Sequence, residues 1–208
     1  STWYGVHLDG PEHSVMGVSI PGAPGVIIGF NRHIAWGVTN VGADVLDLYE
    51  IRFRTDEKRE YLHGGEWKPV RFREERIAVR GGDPVVLKIP YTHHGPVAGL
   101  TGADESTVHH AIRWLAHDPA NDSLSWYLFN RARNHDDFRE ALRHFRNPAQ
   151  NFVFASREGD IALQMAGRFP LRAPGQGRFI SDGSDPGHDW RGWIPEEHEP
   201  VVLNPPEG

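Results

Sequence analysis

Glycine and proline cut this chain into short pieces. Twenty-three glycines and sixteen prolines are spread over 208 residues. The apolar stretches between them are short and rich in β-branched and aromatic residues, the pattern of strands closed off by turns. VMGVSI (15–20), GVIIGF (25–30), RHIAWGV (32–38) and LDLYEIRF (46–53) read as four such strands. YLHGGEWKPV (61–70) reads as a hairpin, because Gly64-Gly65 accepts the positive φ values of a tight turn. RIAVR (76–80) and VVLKIPY (85–91) flank a Gly-Gly-Asp turn, and HHAIRWL (109–115) is a further strand.

The period changes over 121–146. DSLSWYLFNRAR predicts one helix. Asn134 predicts the cap of a second, with Asp136 and Asp137 in its first turn, where negative charge suits the helix dipole. Phe138, Ala141, Leu142 and Phe145 follow at helical spacing and read as core. NFVFAS and IALQMAG, joined by REGD (157–160), form another hairpin. The tail from Pro170 has no strong period, and Phe179, Trp190, Trp193 and Ile194 call for burial in an ordered loop region. Strands, two helices and strands again predict an α+β fold, or layered α/β, with antiparallel sheets.

Composition narrows the function classes. A net charge of −6 without any basic cluster argues against nucleic-acid binding. No apolar run approaches the ~20 residues of a membrane helix. With no cysteine, disulfides, thiol catalysis and cysteine-bound zinc are excluded. Phosphate-cradling GxxxxGK[ST], a GxGxxG before a helix and the GxSxG nucleophile elbow are missing too.

Four features carry possible chemistry. The thirteen histidines include the adjacent pairs His93-His94 and His109-His110. Neighbours on a strand face opposite ways, so neither pair reads as a two-ligand site, and zinc would need distant histidines to converge. Ser1 has a hydroxyl and a free amine on one residue, which together make a nucleophile and its base; a chain that starts with serine by accident is the plainer reading. Asp44 and Asp47 can contribute to a hard-cation site, or be solvated turn carboxylates. Asp47 sits among Val45, Leu46, Leu48 and Tyr49, where a carboxylate needs a partner. Thr39-Asn40 follows the strand HIAWGV directly, and backbone N–H groups there can face a developing oxyanion, or simply make a turn that uses asparagine.

PGAPGVIIGFNRHIAWGVTNVGADVLDLYE (21–50) closely resembles the penicillin amidase family of N-terminal-nucleophile hydrolases. WYGVHL (3–8), YLHGGEW (61–67), HHGPV (93–97), NFVFASREGDIALQMAGRFPLR (151–172), W-x-G-W-I-P (190–195) and NPPEG (204–208) extend the resemblance over nearly the whole chain. It implies part of a four-layer αββα fold and an N-acyl amide hydrolase acting through an acyl-enzyme on a serine exposed by self-cleavage. Its substrates are N-acylated amines such as penicillins, cephalosporin side chains and acyl-homoserine lactones. Ser1 matches a position past that nucleophile, so the sequence is expected to be one internal piece of the large catalytic chain, a single domain over 1–208. Its implied partners are the small chain, the rest of the large chain and a small-molecule substrate, and the piece alone is expected to be inactive.

By the same resemblance Asn40 supplies a backbone N–H to the oxyanion. Asp44, Leu46 through its carbonyl, and Asp47 are structural calcium ligands, with a carbonyl near Gly177. Ile28, Val38, Tyr127 and Gln150 line the acyl pocket, although Val38 and Gln150 differ from phenylacetyl-binding members. No organic cofactor is implied, and the compartment is periplasmic or secreted. Two rival readings stand beside it: a calcium-braced β-rich binding domain without catalysis, and a short hydrolase that uses Ser1 itself.

Overall fold

Strands made of alternating residues need one apolar face covered, and for the first of the sheets below the α-helical segment does that work. The computed structural model describes residues 2–11, 13–98 and 108–207; Ser1 lies outside them. In chain order the strands are β1 (Tyr4–Asp9), β2 (Ser14–Ser19), β3 (Ile28–Asn31), β4 (Ile34–Asn40), β5 (Leu46–Ile51), β6 (Glu60–His63), β7 (Glu66–Pro69), β8 (Arg71–Ile77), β9 (Val85–Thr92), β10 (Gly95–Ala98) and β11 (His109–Trp114). Helices α1 (Asp122–Phe129) and α2 (His135–Leu142) follow, then β12 (Gln150–Ser156), β13 (Ile161–Ala166), β14 (Ser181–Asp182) and β15 (Val201–Leu203). The chain divides into two compact units, 1–43 with 119–169 and 194–208, and 44–118 with 170–193.

The first unit is a seven-stranded sheet in the order β1-β2-β3-β4-β12-β13-β15, with every pairing antiparallel. Ile34 and Trp36 of β4, and Phe152 and Phe154 of β12, point to one face and are buried with Phe129, Phe138, Leu142 and Phe145 from the helical segment. The rings meet edge-on or tilted, as ring quadrupoles prefer; Phe145 and Phe152 have centroids 5.1 Å apart at 85°. Phe152 is fully buried, so truncating it to alanine would cost roughly 3–5 kcal/mol. Asn134 caps α2 as its sequence predicts, its side chain accepting from the Asp137 amide at 2.8 Å. Asn130, just past α1, clamps the backbone of Val26: it accepts from the Val26 N–H and donates to the Val26 carbonyl, both at 2.8 Å. On the opposite face of the sheet, Met16, Phe30, Val153 and Leu163 are exposed.

The second unit holds a six-stranded sheet in the order β14-β5-β11-β10-β9-β8 and the separate hairpin β6-β7. Its core is Tyr49, Ile51, Tyr61, Val97 and Ala111. Gly64 and Gly65 both have positive φ, 62° and 79°, as the two-residue hairpin turn requires. The expectation of antiparallel sheets needs one correction, because the two-residue β14 runs parallel to β5. It arrives from a distant part of the chain, so no hairpin dictates its direction. Phe179 and Ile194 also depart from expectation, at 84% and 38% exposed, whereas Trp190 and Trp193 are partly covered and stack edge to face.

Candidate functional site

Asn40 is the last residue of β4 and pairs with Gln150 of β12. The amide of Val41 donates to the Ala149 carbonyl, which makes 41/149 a hydrogen-bonded pair of the ladder. Antiparallel pairs alternate, so 40/150 is a non-bonded pair and the Asn40 N–H points away from β12. On that other side the pairing of β4 with β3 stops at Trp36. The Asn40 side chain accepts from the Gly42 amide at 2.9 Å, which fixes the bend that follows, and the residue is exposed. A backbone donor outside the ladder therefore sits at the open end of a rigid strand.

Of the four residues expected in an acyl pocket, two share one face of the sheet, one lies on the opposite face and one belongs to α1. Val38 and Gln150 lie on the helix-covered face of the sheet by the two-residue period. Gly29 pairs with Trp36, which puts Ile28 on the face opposite Val38. Tyr127 is an exposed residue of α1, its ring under the Arg131 guanidinium at 3.7 Å.

Asp44 and Asp47 do converge, on an arginine. The Arg172 Nε donates to Asp47 Oδ2 at 2.7 Å, and its Nη1 donates to the Asp44 carbonyl at 2.9 Å. Trp190 Nε1 donates to the same Asp47 oxygen. Asp47 is buried, so its charge needs these partners. Both lone pairs of Oδ2 are taken by N–H donors, and a guanidinium lies where a cation shared by the two acids would sit. Calcium demands six to eight oxygens, and the donors as they stand do not fit it.

A different cluster assembles nearby in the same unit. His63 ends β6, His93 and His94 form the turn between β9 and β10, and Asp189 follows a short 3₁₀ turn at Pro186–His188. One ligand atom from each residue lies within 4.8 Å of all the others. This corrects the expectation that the His93-His94 pair alternates across a strand: in a turn both rings swing the same way, and their centroids are 3.8 Å apart. Gly95 makes the turn feasible, with φ at 136° and the Ile112 carbonyl 2.2 Å from where a Cβ would stand. The sequence signal was the glycine after the pair, in HHGPV.

The rings are held from outside. His94 stacks on Tyr49 at 3.8 Å and 13°, and Tyr49 in turn donates its hydroxyl to the His188 carbonyl at 2.9 Å. Burial pushes the Tyr49 pKa well up, with the nearby Asp47 carboxylate adding to the effect. Burial also pushes His94 down to about 4, helped by neighbouring His93, and lowers His93 for the same reason. His93 and Asp189 line a cleft of about 280 Å³ with Arg113, Trp190 and Trp193. This group of three histidines and a carboxylate can chelate a metal ion.

The architecture and its relatives agree on a class. The structure superposes on that of a thermostable penicillin G acylase from Alcaligenes faecalis with a TM-score of 0.86 and 27% identity, over 100% of this chain and 37% of that one. The fold is thus α+β and resembles that of the N-terminal-nucleophile hydrolases. The penicillin amidase model matches residues 1–208, and the chain belongs to that family. An acyl-homoserine lactone acylase, QuiP, of Pseudomonas aeruginosa is 32% identical over 100% of this chain and 26% of its own length. Penicillin acylase 2 proenzyme of a Pseudomonas species is 32% identical, over 97% of this chain and 26% of its length. Penicillin G acylase of Escherichia coli is 27% identical, over 99% and 24%. The chain therefore spans about a quarter of the length of the curated relatives it matches.

Proposed function

We propose that this chain is the portion of an N-acyl amide hydrolase that supplies one oxyanion donor and part of the acyl-binding surface. The observation that supports it is the Asn40 N–H, outside the ladder and exposed at the end of β4. In this reading a chain-terminal serine attacks the amide carbonyl, its own α-amine takes the hydroxyl proton and passes it to the leaving nitrogen of the substrate, and the Asn40 N–H holds the negative oxygen until that C–N bond breaks. Water then releases the acid. The nucleophile belongs to another part of the protein; Ser1, the alternative, lies outside the described residues. The substrate is a small N-acylated amine, as the names of the related acylases suggest. The complete enzyme in this reading is a four-layer αββα protein that works outside the cytoplasm. No helix of the described residues is long and apolar enough to cross a membrane. Calcium has no step in the reaction.

Replacing Asn40 by proline in the full-length protein tests the reading. Proline removes the N–H without removing a bond to β12, so the strand keeps its pairing there. Loss of one oxyanion donor lowers kcat by about 10²–10³. Hydrolysis of a chromogenic N-acyl anilide is the measurement, with circular dichroism to confirm the fold. Turnover within threefold of the parent would remove Asn40 from the mechanism.

A further inference from the structure

We propose that His63, His93, His94 and Asp189 form a structural site for a divalent transition ion of the zinc class. The hydrogen bonds around the cluster carry the argument. The Gly183 carbonyl lies 3.1 Å from His63 Nδ1 and 3.2 Å from His94 Nε2. A carbonyl only accepts, so those two nitrogens carry the hydrogens. The remaining nitrogens, His63 Nε2 and His94 Nδ1, then present lone pairs to Asp189 at 3.2 and 3.8 Å. Acceptors face acceptors across a small gap, which calls for a cation between them. Extra protons are a poor remedy, because the three rings have centroids 3.8, 4.1 and 5.8 Å apart and would repel one another. One dication satisfies every lone pair at once.

His93 completes the set. Its Nε2 is 3.2 Å from Asp189 Oδ1, and its Nδ1 is 3.0 Å from the Tyr61 hydroxyl. That hydroxyl either donates or accepts, so His93 can turn a lone pair toward the ion by passing its hydrogen to the Tyr61 side. Three imidazoles and one carboxylate select zinc, cobalt or nickel over calcium and magnesium, which prefer oxygen cages. Tetrahedral zinc sets its ligand atoms roughly 3.3 Å apart; the histidine contacts to the two Asp189 oxygens are 3.2, 3.2 and 3.8 Å, and the ligand atoms as a set, within 4.8 Å of one another, must close on binding. Gly183 is the fixed part of the frame. A Cβ there would stand 2.7 Å from the Glu50 carbonyl, so no side chain fits where the carbonyl must be held. Four protein ligands leave no open position, which makes the site a staple between the end of β6, the β9–β10 turn and the segment after β14.

The test is metal uptake by the full-length protein and needs no activity measurement. Chelator-stripped protein is titrated with zinc against a chromogenic indicator, and separately with cobalt. We expect one equivalent of zinc per chain, and for cobalt the intense visible absorption of a tetrahedral centre. Binding should weaken at least 100-fold in His93→Gln and Asp189→Asn, and about 10–100-fold in Tyr61→Phe, which touches only the outer nitrogen of His93. The cobalt spectrum of the parent protein reports the site even where a variant folds poorly. No uptake by the stripped parent, an octahedral cobalt spectrum, or unchanged affinity in His93→Gln and Asp189→Asn would overturn the assignment.

Discussion

Removing Arg172 tests whether a guanidinium or a bound ion neutralises Asp47. Arg172→Met keeps length and apolar stem and deletes the charge. The Asp47 and Arg172 side chains are only 3% and 15% exposed, so the pair is a buried one. Breaking such a pair from one side costs about 3–5 kcal/mol, because the other charge stays buried. Trp190 still donates to Asp47 in the variant, which places the loss near the lower end, about 3 kcal/mol. At about 1.4 kcal/mol per factor of ten, amides of β5 and of 170–193 should then exchange on the order of 100-fold faster by local opening. Hydrogen exchange of the full-length protein followed by mass spectrometry reads this directly. Arg172→Met combined with Asp47→Asn should lose less than the sum of the single changes, since the stranded charge is gone. Unchanged exchange in Arg172→Met, or parent protection that collapses when calcium is withdrawn, would refute arginine as the resident partner.

Two further outcomes are expected. Gly95→Ala should leave little folded protein, because the added carbon meets the Ile112 carbonyl at 2.2 Å in a backbone with φ of 136°; equal soluble yield and melting temperature would contradict the turn geometry. Burial, with Glu196 beside it, pushes Glu199 up from its usual 4.5 to about 7. The folded state thus keeps a proton that the unfolded state releases, and stability falls as pH rises through that window. Glu199→Gln should gain on the order of 1 kcal/mol over the parent at pH 8, discounted because the group is only partly buried, and nothing at pH 4; denaturant unfolding at both values checks it.

Local chemistry announced itself in the sequence. The Asn134 cap, the Phe138–Phe145 stripe and the Gly64-Gly65 hairpin depend on neighbours within a few residues, and each forms as its pattern predicts. The need of Asp47 for a partner was legible too, but the partner was not. Arg172 and Trp190 lie 125 and 143 residues away, and no periodicity links such distances. The convergence of His63, His93, His94 and Asp189 is hidden by a strand reading of His93-His94, where Gly95 permits a turn. The residues expected in an acyl pocket show the same limit from the other direction. The one-residue parity that separates Ile28 from Val38 is set by pairing between strands, and the register is not written in either strand alone.

The seven-stranded sheet leaves a greasy side facing water, with Met16, Phe30, Val153 and Leu163 each about half uncovered. That surface sets a clock on biosynthesis. From the moment these strands pair until something shields them, every other copy emerging nearby offers an equally sticky plane, and misassembly grows with the square of concentration. Slow, dilute expression should therefore recover more usable protein than strong induction.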